Sequence, residues 1–273
     1  MPHQFAVIGN PISHSRSPDI HALFAQQSGI ELTYERVLAE PGAFGACVAK
    51  LRARGFRGSN VTLPFKEDAL GLATELTDRA RRAGAVNTLT FRADAILGDN
   101  TDGAGLLRDL THNLKFSLAG RRVLILGAGG AARGVLHPLV DAQPADLVIA
   151  NRTFARAAEL AALDQGAGRT RAARFEDLNG PAFDLIINAT SASVQGGVPP
   201  IPAHCLAQHT LAYDMMYGGQ PTAFMNFASN AGARTADGLG MLVEQAAEAF
   251  FVWHGVRPET ASVLATLRQR LAA

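Results

Sequence analysis

The sequence predicts an α/β protein with mostly parallel sheets, and three observations carry that prediction. Short apolar runs alternate with segments of helical period along the chain. A glycine-rich turn directly follows one such run and opens a helix. The composition, 48% hydrophobic and 18% charged over 273 residues, supports a substantial core. At roughly 150 residues per domain, the length suits two domains or one large one.

Phe5-Ala-Val-Ile-Gly9 is an apolar run ending in glycine and reads as a buried strand. Ser17-Pro18 supplies an N-cap and a proline at the first helical position, with Ile20, Leu23, Phe24 and Gln27 following at helical spacing. Residues 32–38 read as a strand and 42–54 as a helix. Asn60-Val-Thr-Leu-Pro64 is a strand stopped by proline, followed by a helical stretch over 66–82. Residues 86–91 and 95–97 are strand-like. A second unit is expected to open after Asp102, with a helix over 105–114 and a loop over 117–120. The apolar run 121–127 then precedes a helix over 131–140, a strand over 147–150, a helix over 154–163 and a strand over 185–188. Residues 194–202, rich in glycine and proline, form a loop. A strand over 211–214, an amphipathic helix over 239–251 and a last helix over 258–271 complete the pattern.

Lysine and arginine number 25 against 24 acids, a net charge of +1 with no like-charge block. A nucleic-acid binder ordinarily shows a basic face for phosphate contacts, and none is visible. The longest apolar stretch, Val123 to Ala132, falls far short of the roughly 20 residues that cross a bilayer. The amino terminus has no basic segment before an apolar run, so no secretory signal is expected. Cys47 and Cys205 lie far apart, as in a reducing compartment, so the expectation is a soluble cytoplasmic protein. Of the 25 basic residues only three are lysine, at 50, 66 and 115. A lysine kept in so arginine-rich a chain is a candidate for a task arginine cannot do.

Gly127-Ala128-Gly129-Gly130-Ala131-Ala132 matches G-x-G-x-x-A between an apolar strand and a helix. The first glycine permits the tight turn, the second lets backbone approach a pyrophosphate, and small Ala132 lets helix and strand pack closely. The helix N-terminus offers amide donors to the anion. An ordinary glycine-rich turn is the alternative for this motif alone. The next strand adds a second signal. An NAD site ordinarily places an acid at its end, about 20 residues on, to bond the ribose 2′-hydroxyl. Here that strand ends Ile149-Ala-Asn151-Arg152-Thr153, with Arg156 beyond. Two guanidinium groups and a hydroxyl in place of a carboxylate suit a 2′-phosphate, so the expected cofactor is NADP. Asn151 and Thr153 also suit capping of the following helix, which is compatible with phosphate binding.

Ser13-His-Ser15-Arg-Ser17-Pro18 sets three hydroxyls and a histidine between a strand and a helix, where they suit a bound carboxylate or phosphate and a structural cap equally. Asn60 and Thr62 alternate on one predicted strand and so share a face. Lys66 follows just beyond Pro64, and Asn87 is polar within an otherwise apolar run. Asp102 precedes a helix in Gly98-Asp-Asn-Thr-Asp-Gly103, where an N-cap role accounts for it as well. Acids three apart with no glutamate following exclude a calcium loop there. No H-E-x-x-H, C-x-x-C, G-x-S-x-G or P-loop lysine motif occurs, so no metal is expected.

Together these segments resemble the shikimate dehydrogenase family along essentially the whole chain. The matching stretches are Gly9-Asn-Pro-Ile-Ser-His-Ser-Arg-Ser-Pro18, Asn60-Val-Thr-Leu-Pro-Phe-Lys66, Gly84-Ala-Val-Asn-Thr88 and Gly98-Asp-Asn-Thr-Asp-Gly103. Further along come Gly127-Ala-Gly-Gly-Ala131, Asn151-Arg-Thr153, Ile187-Asn-Ala-Thr-Ser191 and Ala236-Asp-Gly-Leu-Gly-Met241, in the family's order. The resemblance implies a Rossmann-type NADP domain over 103–236, inserted in a discontinuous α/β substrate domain of residues 1–102 and the helices of 237–273. It implies that Ser15 and Ser17 hold a substrate carboxylate, with Tyr217 nearby. Thr62, Asn87, Asp102 and Gln245 would hold ring hydroxyls, with Asn60 close and Lys66 beside the reacting oxygen. Gln245 suits that place physically, at the border of the stripe Leu242, Val243, Ala246 and Phe250. Met215 and Gly238 would flank the nicotinamide, and Asn188 to Ser191, including Thr190, would form the loop beneath it. Residues 191–197 depart from the family's serine–glycine pattern in that loop.

The implied reaction reduces 3-dehydroshikimate to shikimate with NADPH, a step toward chorismate and the aromatic amino acids. Lys66 and Asp102 are the expected catalytic pair. Lys66 would give the proton in this direction and take it in reverse, which a permanently protonated arginine could not. Asp102 would orient the ammonium and bind a substrate hydroxyl. A quinate/shikimate dehydrogenase of relaxed cofactor use is one alternative, disfavoured by Arg152 and Arg156. A non-catalytic NADP-binding sensor of the same fold is another, disfavoured by the retention of Lys66, Asp102 and Gln245. Expected partners are the small-molecule substrate and NADP, without nucleic acid or membrane, in a monomer or homodimer.

Overall fold

The computed structural model describes residues 2–164, 170–190, 192 and 196–272; Ser191 and residues 193–195 of the predicted loop lie outside the described residues. The chain forms two compact units, Met1–Gly105 with Val243–Ala265, and Leu106–Leu242 with Thr266–Ala273.

In the first unit, strands β1 (His3–Gly9), β2 (Leu32–Leu38), β3 (Gly58–Val61), β4 (Glu75–Leu76), β5 (Thr88–Phe91) and β6 (Ile96–Asp99) form one sheet, in the order β2-β1-β3-β5-β6-β4. β1 is parallel to β2 and β3, and β4 to β6, whereas β5 runs antiparallel to both its neighbours. Helices α1 (Ser17–Ser28), α2 (Phe44–Ala53), α3 (Lys66–Leu72) and α4 (Asp78–Ala83) lie between the strands in sequence. Ile8 and Val61 of the sheet pack with Phe44, Val48 and Leu51 of α2 and with Phe65. Burying each such side chain contributes roughly 1.5–3 kcal/mol.

Three local expectations change here. The helix predicted over 66–82 is two helices separated by β4. Thr74 N bonds Ile96 O at 2.9 Å and Thr74 Oγ1 accepts from Ile96 N at 2.8 Å, which draws the segment onto the sheet edge. Thr77, in extended conformation, then caps α4 by accepting from Ala80 N at 3.3 Å. Ser17 is the first helical residue rather than the cap: Arg16 holds that position, and Ser15 Oγ accepts from Ser17 N at 3.3 Å. Finally, β3 ends at Val61, so Thr62 does not continue the strand face of Asn60; the chain turns there through Leu63 and a cis Pro64.

In the second unit, β7 (Arg122–Leu126), β8 (Asp146–Ala150), β9 (Thr170–Ala173), β10 (Leu185–Asn188), β11 (Leu211–Asp214) and β12 (Arg234–Asp237) are all parallel, in the order β12-β11-β10-β7-β8-β9. Counted from β7, this is the 3-2-1-4-5-6 order of doubly wound dinucleotide-binding sheets, with its reversal between β7 and β10. Val123, Ile125, Leu147 and Ile149 pack on one face with Val135 and Leu136, whereas Leu124, Leu126 and Val148 pack on the other with Phe183 and Phe224. Both faces being covered, these strands are continuous apolar runs. The remaining helices are α5 (Asp102–Arg108), continued by a π turn over Asp109–Asn113, then α6 (Gly130–Asp141), α7 (Phe154–Ala161), α8 (Ala223–Asn230), α9 (Leu239–His254) and α10 (Ala261–Ala272). Residues 237–242 and 266–273 group with this unit. Arg268 makes a bidentate ion pair with Asp237, at 2.6 and 2.7 Å. Among the described residues no helix is long and apolar enough to cross a membrane, and no cluster of metal-ligating side chains occurs.

Candidate active site

Lys66 opens α3 and Asp102 opens α5. Lys66 Nζ donates to Asp102 Oδ2 at 2.6 Å, with the two side chains only 15% and 9% exposed. Asn87, just before β5, donates from Nδ2 to Asp102 Oδ1 at 2.9 Å and to Thr101 Oγ1 at 3.0 Å. Its Oδ1 accepts from Thr101 N and Thr88 Oγ1, both at 2.8 Å. Gln245 of α9 joins the group, with Oε1 3.5 Å from both Asn87 Nδ2 and Thr101 Oγ1. Each Asp102 oxygen therefore holds one donor, and the ammonium retains two N–H groups beyond the one Asp102 takes. Such a fixed, partly dry lysine–carboxylate pair is suited to passing or accepting a proton at one defined place.

Asn60 lies next to this group but is committed within the protein. Its Oδ1 accepts from Tyr34 OH at 2.7 Å, while Nδ2 donates to Asn87 O at 3.2 Å and Thr88 Oγ1 at 3.0 Å. With both amide protons used, Asn60 braces the Asn87 segment. Ser15 and Ser17 hydroxyls stand 3.2 Å apart, and Arg36 Nε anchors their turn by donating to Ser15 O at 2.8 Å. Thr62 is half-buried directly after β3. Sequence reasoning missed Thr101 and Tyr34. Thr101 lay inside the quoted 98–103 stretch, whereas Tyr34 carried no signal beyond a strand pattern.

The second unit holds the glycine turn. Gly127 has a φ of +102°, the region that favours glycine, and a Cβ there would stand 3.1 Å from Ala189 O and Thr190 Cγ2. Gly129 caps α6 with no side-chain hydrogen bond, and the first turn contains no acid. A Cβ at Gly129 or Gly130 would meet only open space. Ala128 and Ala131 complete the small-residue surface. Bare first-turn amides over such a surface fit a pyrophosphate. Beyond β8, Asn151 Nδ2 donates to Thr153 O at 3.0 Å and turns the chain into α7, whose first turn also lacks acids. Arg152 and Arg156 are exposed and no ion pair holds either among the described residues. This donor set fits the 2′-phosphate of NADP.

Three further cofactor candidates meet at the carboxyl ends of adjacent strands. Thr190 N and Oγ1 both donate to Asn188 Oδ1, at 3.1 and 2.7 Å. Met215 N donates to Asn188 O at 3.0 Å. Gly238 approaches Met215 so closely that a Cβ would stand 2.2 Å from its carbonyl oxygen, so no larger residue fits unless the turn moves. Tyr217, half-buried beyond β11, belongs to this unit.

A parallel sheet of this order with a bare glycine turn, in a chain whose other unit holds a buried lysine–carboxylate pair, defines a dinucleotide-dependent oxidoreductase. The family model of the shikimate dehydrogenase substrate binding domain matches residues 7–89. That of shikimate / quinate 5-dehydrogenase matches 109–195, and that of the shikimate 5′-dehydrogenase C-terminal domain 238–268. The shikimate dehydrogenase (NADP(+)) of Nitrosospira multiformis is 57% identical over 270 residues, 98% of either chain. That of Herminiimonas arsenicoxydans is 56% identical over 271 residues, 99% of either. The crystal structure of shikimate 5-dehydrogenase from Thermus thermophilus in complex with NADP(H) and shikimate aligns with a TM-score of 0.88 at 34% identity, over 98% of this chain and 99% of that one. The chain belongs to the shikimate dehydrogenase family.

Proposed function

We infer that the chain catalyses the reversible reduction of 3-dehydroshikimate to shikimate with NADPH, a step of aromatic amino-acid biosynthesis in the cytoplasm. The observation that carries this reading is the buried Lys66–Asp102 pair, braced by Asn87 and Gln245, in a chain that matches NADP-dependent relatives end to end. The first unit binds substrate and the second binds NADP. Gly127, Ala128, Gly129, Gly130 and Ala131 receive the pyrophosphate, while Asn151, Arg152, Thr153 and Arg156 receive the 2′-phosphate. Thr190, Met215 and Gly238 border the nicotinamide. When bound, NADPH supplies a hydride.

The chain's own residues position, polarise and protonate. Ser15 and Ser17 bind the substrate carboxylate; Thr62, Asn87, Asp102 and Gln245 bind ring hydroxyls, and Asn60 steadies Asn87. Lys66 Nζ donates to the ketone oxygen, stabilises the negative charge that develops there and hands over one proton. In the reverse direction the neutral amine takes the hydroxyl proton. Asp102 Oδ2, 2.6 Å from Nζ, holds the ammonium in place throughout. Initial rates with shikimate or quinate, each crossed against NADP or NAD, test the reading. Turnover confined largely to shikimate with NADP is expected. Comparable rates with quinate or NAD would move the protein to a broader specificity, and no turnover with any pair while NADP still binds would overturn it.

A further inference from the structure

Arg79, on α4, lies outside the group around Lys66, yet its whole guanidinium fork is engaged. Nε and one terminal nitrogen donate to the two oxygens of Asp99, both at 2.6 Å, and the other terminal nitrogen donates to Glu248 Oε1 at 2.7 Å. The Asp99 side chain is 4% exposed and that of Glu248 15%. Asp99 Oδ1 also accepts from Thr77 Oγ1 at 2.6 Å and Asn100 N at 2.7 Å, and Glu248 Oε2 accepts from Arg257. Desolvation alone would raise both carboxyl pKa values. The bonds and charge of Arg79 at Asp99, and those of Arg257 and then Arg79 at Glu248, outweigh it and hold both below their ordinary values.

The two carboxylates stand at the roots of two separate parts of the site. Asp99 O accepts from Asn87 N at 3.0 Å, and the next residue, Asn100, accepts from Asp102 N at 3.1 Å through Oδ1. Asp99 thus sets the segment that carries Asn87 and Asp102. Glu248 follows Gln245 by three residues on α9 and so shares its side of the helix. At Gln245, α9 lies so close to α5 that a Cβ on Gly105 would stand 2.6 Å from Gln245 Cβ. A small rotation or slide of α9 would therefore displace the Gln245 amide.

We propose that Arg79 is a positioning residue for substrate: by clamping Asp99 to Glu248 it fixes Gln245 relative to Asp102 and Asn87, so that all three grip one ring. A lysine could not make these three fork-shaped bonds at once. The proposal rests on the assignment of Asp102 and Gln245 as substrate ligands.

Steady-state kinetics with shikimate and NADP on Arg79→Lys, Glu248→Gln, Gln245→Ala and the double variant Gln245→Ala/Glu248→Gln test it. The shikimate KM should rise about tenfold in Arg79→Lys and Glu248→Gln, with the NADP KM within about twofold. A clamp needed only for folding would not separate the two KM values in this way. If Glu248 acts through Gln245, adding Glu248→Gln to Gln245→Ala should raise the shikimate KM no further. Both KM values rising in proportion, or neither moving, would overturn the proposal. So would a full multiplicative effect in the double variant while Gln245→Ala itself raises the shikimate KM, which strikes the clamp alone. An unchanged shikimate KM in Gln245→Ala would instead strike the site assignment, and the clamp with it. Should Arg79→Lys fail to fold, Glu248→Gln, which alters one charge and keeps the side-chain volume, decides by itself.

Discussion

His21 provides a test of the structure that does not depend on catalysis. It is fully buried in α1, stacked on Tyr34 at 4.3 Å and 9°, with Phe24, Phe250 and Trp253 around it. Neither ring nitrogen meets a partner in hydrogen-bonding geometry. Desolvation, with a smaller push from His254, lowers its pKa from 6.5 to about 3, and the nearby Asn60 amide offsets only part of this. As pH falls below 6.5 the unfolded chain takes up a proton that the folded ring refuses until about pH 3. Stability is therefore constant above that window and is lost as pH falls through it. The slope approaches ~1.4 kcal/mol per pH unit, so between about pH 7.5 and about pH 4.5 the His21 share of the loss is roughly 2.7 kcal/mol. Against a usual net stability of about 5–15 kcal/mol, that is readily measured. His21→Phe keeps a flat ring on Tyr34 and cannot protonate. Trp253, the only tryptophan, reports urea unfolding of the unit that contains His21. The parent should lose roughly 2.7 kcal/mol more than His21→Phe over this pH range. A pH-independent offset from the larger ring leaves that difference intact, and His254, itself lowered to about 4 by desolvation, His3 and Arg57, is present in both proteins. Equal losses in the two proteins would refute the reasoning.

Lys66→Ala should lower kcat by ~10²–10⁴-fold, and an unchanged kcat with a raised KM for shikimate would reduce Lys66 to a binding group. Arg152→Ala should raise the KM for NADP about tenfold and leave that for NAD alone, since only the former carries the 2′-phosphate; equal changes would sever the arginine from that phosphate. Gly238→Ala sets a Cβ 2.2 Å from Met215 O, so the turn beside the proposed nicotinamide position must shift. A weakening of NADPH binding by about tenfold or more is expected in a fluorescence titration, and parent-like affinity would show that nothing there depends on the close approach.

The dinucleotide unit is legible in the sequence because its demands are local. A pyrophosphate turn needs its glycines side by side, and β7, β8, β10 and β11, buried on both faces, must be apolar without interruption. The edge strands β9 and β12 escaped notice for the opposite reason: half-exposed, with sequences Thr-Arg-Ala-Ala and Arg-Thr-Ala-Asp, they bear no apolar pattern. β4 is only two residues long and owes its existence to pairing with β6. In the first unit, motifs marked Lys66, Asn87 and Asp102 and the family resemblance implied Gln245, yet Asp102 by itself served equally well as a helix cap.

The sequence by itself determined the fold class, the dinucleotide turn and the arginine-for-acid exchange that suits NADP, and it supplied the residues proposed to carry the chemistry. Only the tertiary structure decided which of them share an environment. It brought Lys66 onto Asp102 across 36 positions of sequence and Asn87 to Gln245 across 158. It committed both amide protons of Asn60 internally, and it gave Tyr34, Thr101 and Arg79 hydrogen-bond partners that local sequence does not specify. The physical reason is range. Periodicity, capping and turn chemistry act between residues two to four apart, whereas a buried hydrogen bond depends on which distant segments burial forces together.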